Sequence, residues 1–297
     1  MSKELAVALQ KLATYRAQNS RASQQTFEQG VTVLKHNALW KQGDDGWAFL
    51  EQLTLASLDV GKPDVADRCI SLLTQKFPGS PRVECLTGIR LEATETPEVA
   101  LKYYDDMLSI EESNAALWKR KISVLRRMGQ INRAVEELSS YLDTFYTDVE
   151  GWLELANIYT SCNQYTLALQ ALQHTLLLAP QNSFYALQAA ETAYTAGDIP
   201  LAIKMFLTVT DMSDDSDSPA DSIPEGITVR SWYGVKLCTR NLLKDSRTTS
   251  VSPSQTPVPE HVKLLDELAT ERLLTAYSSG NGPVNGREVL VKWLEAK

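Results

Sequence analysis

Five alanines recur along this chain at a fixed interval of about 34 residues: Ala66, Ala100, Ala134, Ala168 and Ala202. Four residues after each comes a large side chain: Ile70, Tyr104, Leu138, Leu172 and Phe206. Five residues before each is Gly61, Glu95, Gly129, Asn163 or Gly197. Glycine at such a position tolerates the backbone angles that end a helix. The stretch 149–182 shows what one period contains. Trp152, Leu155, Ala156 and Tyr159 share a helical face, a polar turn follows at 161–164, and Ala168, Leu172 and Thr175 share a second face before Pro180. Alanine is wanted where two helices cross closely, and the large residue fills the space beside it.

Trp-x2-Leu-Ala-x2-Tyr with a small crossing residue and a closing proline resembles a tetratricopeptide (TPR) repeat. The expectation is an all-α TPR solenoid, a right-handed superhelix of helical hairpins, with non-consensus helical caps. Five repeats are expected at 47–80, 81–114, 115–148, 149–182 and 183–216. Residues 1–46 read as an N-terminal cap with helices near 3–18 and 23–40. Residues 217–297 read as an interrupted sixth pair, near 228–243 and 260–277, followed by a glycine-rich break and a short helix containing Trp293. Two linkers interrupt this end. The first, 211–219, is acidic and serine-rich, with acidophilic kinase sites as the alternative to a solvated loop. The second, 244–259, is rich in Ser, Thr and Pro and is expected to be disordered.

Composition narrows the function. A net charge of −8 argues against a general nucleic-acid binder. Cys69, Cys85, Cys162 and Cys238 form no Cys-x-x-Cys pair, which fits reduced thiols in the cytosol. His36, His174 and His261 lack ligand spacing to them, so neither a metal nor any other cofactor is expected. No apolar run reaches the length of a membrane span, and the start lacks the continuous apolar core of a secretory signal. The stripe Leu5, Leu9, Leu12 and Tyr15 is expected to pack on the first repeat rather than to anchor the chain on a membrane. There is no phosphate-binding glycine loop or nucleophile elbow, and no catalytic residue is assigned.

Function must then come from surface. The concave face of a TPR stack is lined mainly by first helices. Repeat-frame positions 2, 5, 9 and 12 nominate Arg82, Ile89, Lys119, Arg126, Arg127 (beside Arg126), Leu153, Asn157, Phe184, Leu187 and Tyr194 as a partner-binding groove. Between Asn114 and Arg133 lie six cations and no acid. They read either as an anion site or as a solvated face whose charges pair with Glu136, Glu137 or neighbouring repeats. The groove suits an amphipathic helix or extended peptide with an acidic side.

Gly43-Asp44-Asp45-x-Trp47, Phe77-Pro78-Gly79-Ser80-x-Arg82-Val83, Lys119-Arg120-Lys121-Ile122 and Glu154-Leu155-Ala156-x-Ile158-Tyr159 carry a narrower resemblance. Over roughly residues 20–210 the chain resembles the subunit 2 family of the endoplasmic reticulum (ER) membrane protein complex. That resemblance implies a peripheral, non-catalytic scaffold on the cytosolic face of the ER. Its partners would be cytosolic segments of membrane-embedded subunits, with a soluble cytosolic subunit as a further candidate, in a machine that inserts tail-anchored and multipass proteins. Two alternatives stand beside it. One is a soluble TPR co-chaperone, although Ser123, Glu154 and Phe184 occupy positions where a carboxylate clamp needs Lys and Asn. The other is a protein prenyltransferase alpha subunit.

Overall fold

A computed structural model describes residues 3–36, 45–213, 223–244, 253–278 and 286–295. Expectations for the turn at 42–44, the acidic segment 214–219, the start of the second linker at 245–252 and the glycine-rich break at 280–285 fall outside these residues. Every regular element among the described residues is an α-helix, and the chain divides into two units, 1–144 and 145–297.

The first unit holds α1 (Lys3–Ala17), α2 (Ser23–Lys35), α3 (Asp45–Asp59), α4 (Pro63–Lys76), α5 (Pro81–Thr94), α6 (Pro97–Ile110), α7 (Ala115–Arg127) and α8 (Ile131–Thr144). The second holds α9 (Val149–Ser161), α10 (Tyr165–Leu178), α11 (Ser183–Thr195), α12 (Ile199–Ser213), α13 (Ile227–Lys244), α14 (Val262–Ala276) and α15 (Arg287–Glu295). Helix α2 ends at Lys35, short of the expected residue 40.

All five periodic alanines are 0% exposed. They sit on α4, α6, α8, α10 and α12, where each second helix crosses its neighbour and any larger side chain would force the two apart. Tyr104, Leu138 and Leu172 are fully buried beside them, Phe206 nearly so, and Ile70 partly. The turns that close the hairpins repeat one hydrogen-bond pattern. Gly61, Gly129, Asn163 and Gly197 are left-handed, at φ 71°, 72°, 59° and 85°. The N–H of the next residue reaches back five residues, Lys62 to Ser57 O at 2.8 Å and Gln130 to Leu125 O at 3.0 Å. Gln164 to Tyr159 O and Asp198 to Ala193 O repeat it, so four turns end their helices in Schellman motifs. Glu95 departs from the pattern: it is extended, and Thr96 leads directly into Pro97 at the start of α6.

Helix α1 docks as expected, since Leu5 and Leu12 are buried in one cluster with Phe49, Leu50 and Leu53 of α3. In the second unit α13 and α14 pack as a pair, held by a buried charge. Lys236 Nζ lies 2.7 Å from Asp266 Oδ2 and donates to Thr270 Oγ1 at 2.8 Å, while Thr239 donates to Asp266 Oδ1. The expected disorder of the second linker fails at 253–260. There Ser254 N–H donates to Asp198 Oδ2 at 3.1 Å, and Val258 packs against the core of the unit. Asp198 does double duty, because its other oxygen caps α12 by accepting from Leu201 N–H.

Candidate partner-binding groove

In the first unit the first helices of successive hairpins, α3, α5 and α7, lie side by side. Their facing side chains bridge from one helix to the next. Arg82 on α5 reaches back to Glu51 on α3 at 2.5 Å. Arg120 on α7 clasps Glu92 on α5 with two hydrogen bonds, 2.8 and 2.7 Å. Tyr104 O–H donates to the same carboxylate at 2.6 Å, and Arg127 stands 3.9 Å away. The Glu92 side chain is only 7% exposed. Burial alone would lower the Arg120 pKa, but the hydrogen bonds and charge of Glu92 outweigh it and raise the value. Burial, then Glu92, also holds Tyr104 in its neutral form.

At the other wall, Arg21 binds Asp59 at 2.7 Å and Ser23 donates to the same carboxylate at 2.5 Å. The Arg21 hydrogen bond is the main reason the Asp59 pKa lies below its ordinary value. Between these walls is an open cleft of about 820 Å³, lined by Arg16, Arg21, Arg82, Arg120 and Arg127 against Glu51, Asp59 and Glu92, with Leu55 and Ile89 as apolar floor. Five guanidinium groups line it against three carboxylates, with Arg16 also 4.0 Å from Asp45 outside the lining, in a chain that is acidic as a whole.

Of the nominated residues in this unit, Arg82, Ile89 and Arg127 line the cleft. Lys119 and Arg126 do not. Lys119 Nζ instead lies 5.9 Å from the Tyr141 ring centroid, and Arg126 is exposed near the end of α7. Arg120, which the repeat frame does not nominate, also lines the cleft. It sits seven residues, two helical turns, before Arg127 and therefore on the same stripe, which was signal enough to find it. Much of the basic run is already partnered within the chain. Lys121 is paired with Asp105 at 2.9 Å and Glu137 at 2.7 Å, and Arg133 donates to Gln130 at 2.7 Å.

In the second unit the nominated residues scatter. Leu153 is half-buried, and Asn157 is exposed, its Oδ1 accepting from Gln188 Nε2 at 2.8 Å. Phe184 is 69% exposed. Leu187, expected in the groove, is instead 5% exposed in the core cluster that includes Trp232 and Val235 of α13. Tyr194 is half-buried against that cluster, and its hydroxyl accepts from Asn241 at 2.9 Å. Packing of α13 on α11 takes Leu187 into the interior and half-covers Tyr194, while Phe184 at the start of the helix stays exposed. His174 stacks on Trp152 with ring centroids 4.2 Å apart, an arrangement of packing rather than chemistry. Among the described residues no group of His, Cys, Asp or Glu could hold a metal, and no helix is long and apolar enough to cross a membrane. Burial pushes the Cys69 thiol up to about 11 and the Cys238 thiol to about 12, so both are inert at neutral pH.

Buried alanines at one period, repeated Schellman turns and aligned first helices define a TPR-type helical repeat protein. A solved structure supports that class: the C-terminal part of a TPR repeat-containing protein from Cytophaga hutchinsonii superposes with a TM-score of 0.56 at 13% identity, covering 90% of this chain and 98% of that one. The EMC2 TPR-like repeat domain matches residues 70–201. ER membrane protein complex subunit 2-B of Xenopus laevis is 38% identical over 209 residues, 69% of this chain and 70% of that protein. Subunit 2-A of the same organism is 40% identical over 189 residues, which are 64% of this chain and 63% of the relative, just under two thirds of its length. The chain belongs to the ER membrane protein complex subunit 2 family, and it is a repeat protein rather than an enzyme.

Proposed function

We propose that this chain is a non-catalytic scaffold subunit of the ER membrane protein complex, seated on the cytosolic face of the membrane. In this reading it organises partner subunits of an insertase for tail-anchored and multipass clients. The relatives' names support the assignment to the complex. The frame of an N-terminal cap at 1–46, five repeats from 47 to 216 and an interrupted pair from 217 onward is part of the proposal. Association with the membrane is indirect, through partners.

The observation that carries the scaffold role is the cleft between α3, α5 and α7. Its walls are held by ion pairs formed within the chain, so a partner meets a site that is already shaped, with less ordering cost on binding. The surplus of guanidinium groups fits an acidic stretch of partner polypeptide, and Ile89 and Leu55 offer it apolar contact. Phe184 and Asn157 are the exposed candidates of the second unit.

The test is affinity purification of the tagged chain from detergent-solubilised membranes, with partners identified by mass. The wild type should bring down membrane-embedded subunits and fractionate with microsomes; a chain found only in the soluble fraction, without those subunits, overturns the scaffold reading. Arg82→Glu combined with Ile89→Glu should release partners while the helical circular dichroism stays unchanged. Full recovery of partners by that variant rejects the cleft as the contact and leaves the fold intact.

A further inference from the structure

Three hydroxyl residues among the described residues stand directly before proline: Ser80, Thr96 and Thr256. The first two are the N-cap residues of α5 and α6, and the proline after each opens a helix. A protein kinase takes its acceptor in an extended strand, so those two positions would have to unwind a helix to be used. Thr256 differs. Pro257, Val258 and Pro259 follow it outside any helix, and α14 does not begin until Val262. Proline fixes its own φ and biases the residue before it toward extended backbone, so that on the other side only Gln255, left-handed at φ 54°, has to turn for the acceptor segment to extend. Thr256 is half-buried, Pro257 beside it is exposed, and the Thr256 hydroxyl is within 2.7 Å of the neighbouring Ser254 hydroxyl.

We propose that Thr256 is a phosphoacceptor for a proline-directed protein kinase, and that its phosphorylation releases the 253–260 strap from α12. In the transfer, Thr256 Oγ1 bonds to the γ-phosphorus of ATP as the bond from that phosphorus to the β–γ bridging oxygen breaks. ADP leaves, and the hydroxyl proton passes to the kinase's catalytic carboxylate. The product carries about −1.5 to −2 charge at neutral pH. It is installed two residues from the strap's polar anchor, the Ser254 N–H on Asp198. Thr256, Pro257 and Pro259 form one wall of a cleft of about 540 Å³ whose opposite wall, on α12, carries Lys204 and Asp211. One ammonium group therefore faces the new charge, against the carboxylates of Asp198 and Asp211. Repulsion wins, the Ser254 contact opens, and the α12 face of the cleft is uncovered.

The experiment uses the full chain with a purified proline-directed kinase, magnesium and ATP. A synthetic peptide of residues 253–262 serves as a control that the kinase accepts the sequence. Site mapping by mass should find phosphate on Thr256, lost in Thr256→Val and, with the acceptor intact, in Pro257→Ala. Amide exchange across 253–260 and the first turn of α12 should then rise about tenfold. Modification of the peptide but not of the folded chain overturns the site. Phosphate on Thr256 with exchange unchanged overturns the release.

Discussion

The two units place first helices side by side by the same packing rules, yet only in the first does a nominated face remain an open cleft. There, Arg82–Glu51 and Arg120–Glu92 tie α3, α5 and α7 together at their side-chain heads and leave about 820 Å³ between the walls. In the second unit Gln188–Asn157 and Arg230–Glu191 make equivalent ties, the latter through two hydrogen bonds of 2.6 and 2.9 Å. But Leu187 and Tyr194 are enclosed with α13. A groove position in the repeat frame is therefore only an address. What occupies it depends on whether the following hairpin covers it.

That contrast can be broken by mutation. The largest effects are expected at the two buried residues. Glu92→Ala removes the partner of Arg120 and Tyr104 and should cost about 3–5 kcal/mol in urea unfolding. If it costs under about 1 kcal/mol, the cleft wall is not organised by that carboxylate. Leu187→Ala should cost about 2–5 kcal/mol, as a core truncation does. A surface-like value there would return Leu187 to the groove.

Next come two glycines that play one part in both units. A β-carbon on Gly88 would run into the Tyr104 ring, and one on Gly234 into Phe206. Either glycine-to-alanine change should destabilise by about 1–3 kcal/mol despite the better helix propensity of alanine. Stabilisation by either would show that the aromatic ring can retreat. Smaller still is Arg82→Ala, worth less than about 1 kcal/mol because the Arg82 side chain is 78% exposed. Smallest is Asp59→Asn. The folded pKa of Asp59 is depressed, so its contribution is present above the ordinary unfolded carboxylate value and fades as pH falls through the folded value. The difference between wild type and variant should vanish in acid; persistence there would mean the loss is steric.

How legible all this was follows from the range of the interactions involved. The alanine period and the glycine turns are local, repeated constraints, and they could be read directly because any residue larger than alanine fails at each crossing. Glu95 falls in the same register, yet its turn is built differently, since Thr96-Pro97 starts the next helix without a left-handed residue. On α7, choosing Lys119 over Arg120 was a matter of one residue, or about 100° of helix rotation. Sequence period fixes that angle less well than it fixes helix existence. The strap at 253–260 looks disordered in sequence because Ser/Pro composition resembles disorder. Its anchors, Asp198 and the core around Val258, lie far away in the chain and are invisible to any local pattern.

The buried Lys236–Asp266 pair has a consequence for how the chain tolerates change. In the five hairpins from α3 to α12 two or three residues join the helices, and so short a connection sets how one helix slides against the other. Between α13 and α14 lie 17 residues, from 245 to 261, held at Ser254 and Val258 rather than closed by a tight turn. The ammonium group supplies the alignment instead, because a slip of one turn would strand a charge with no carboxylate opposite. Connector length ahead of the anchor at Ser254 is thereby freed to drift, by insertion or deletion, while the two helices keep their phase.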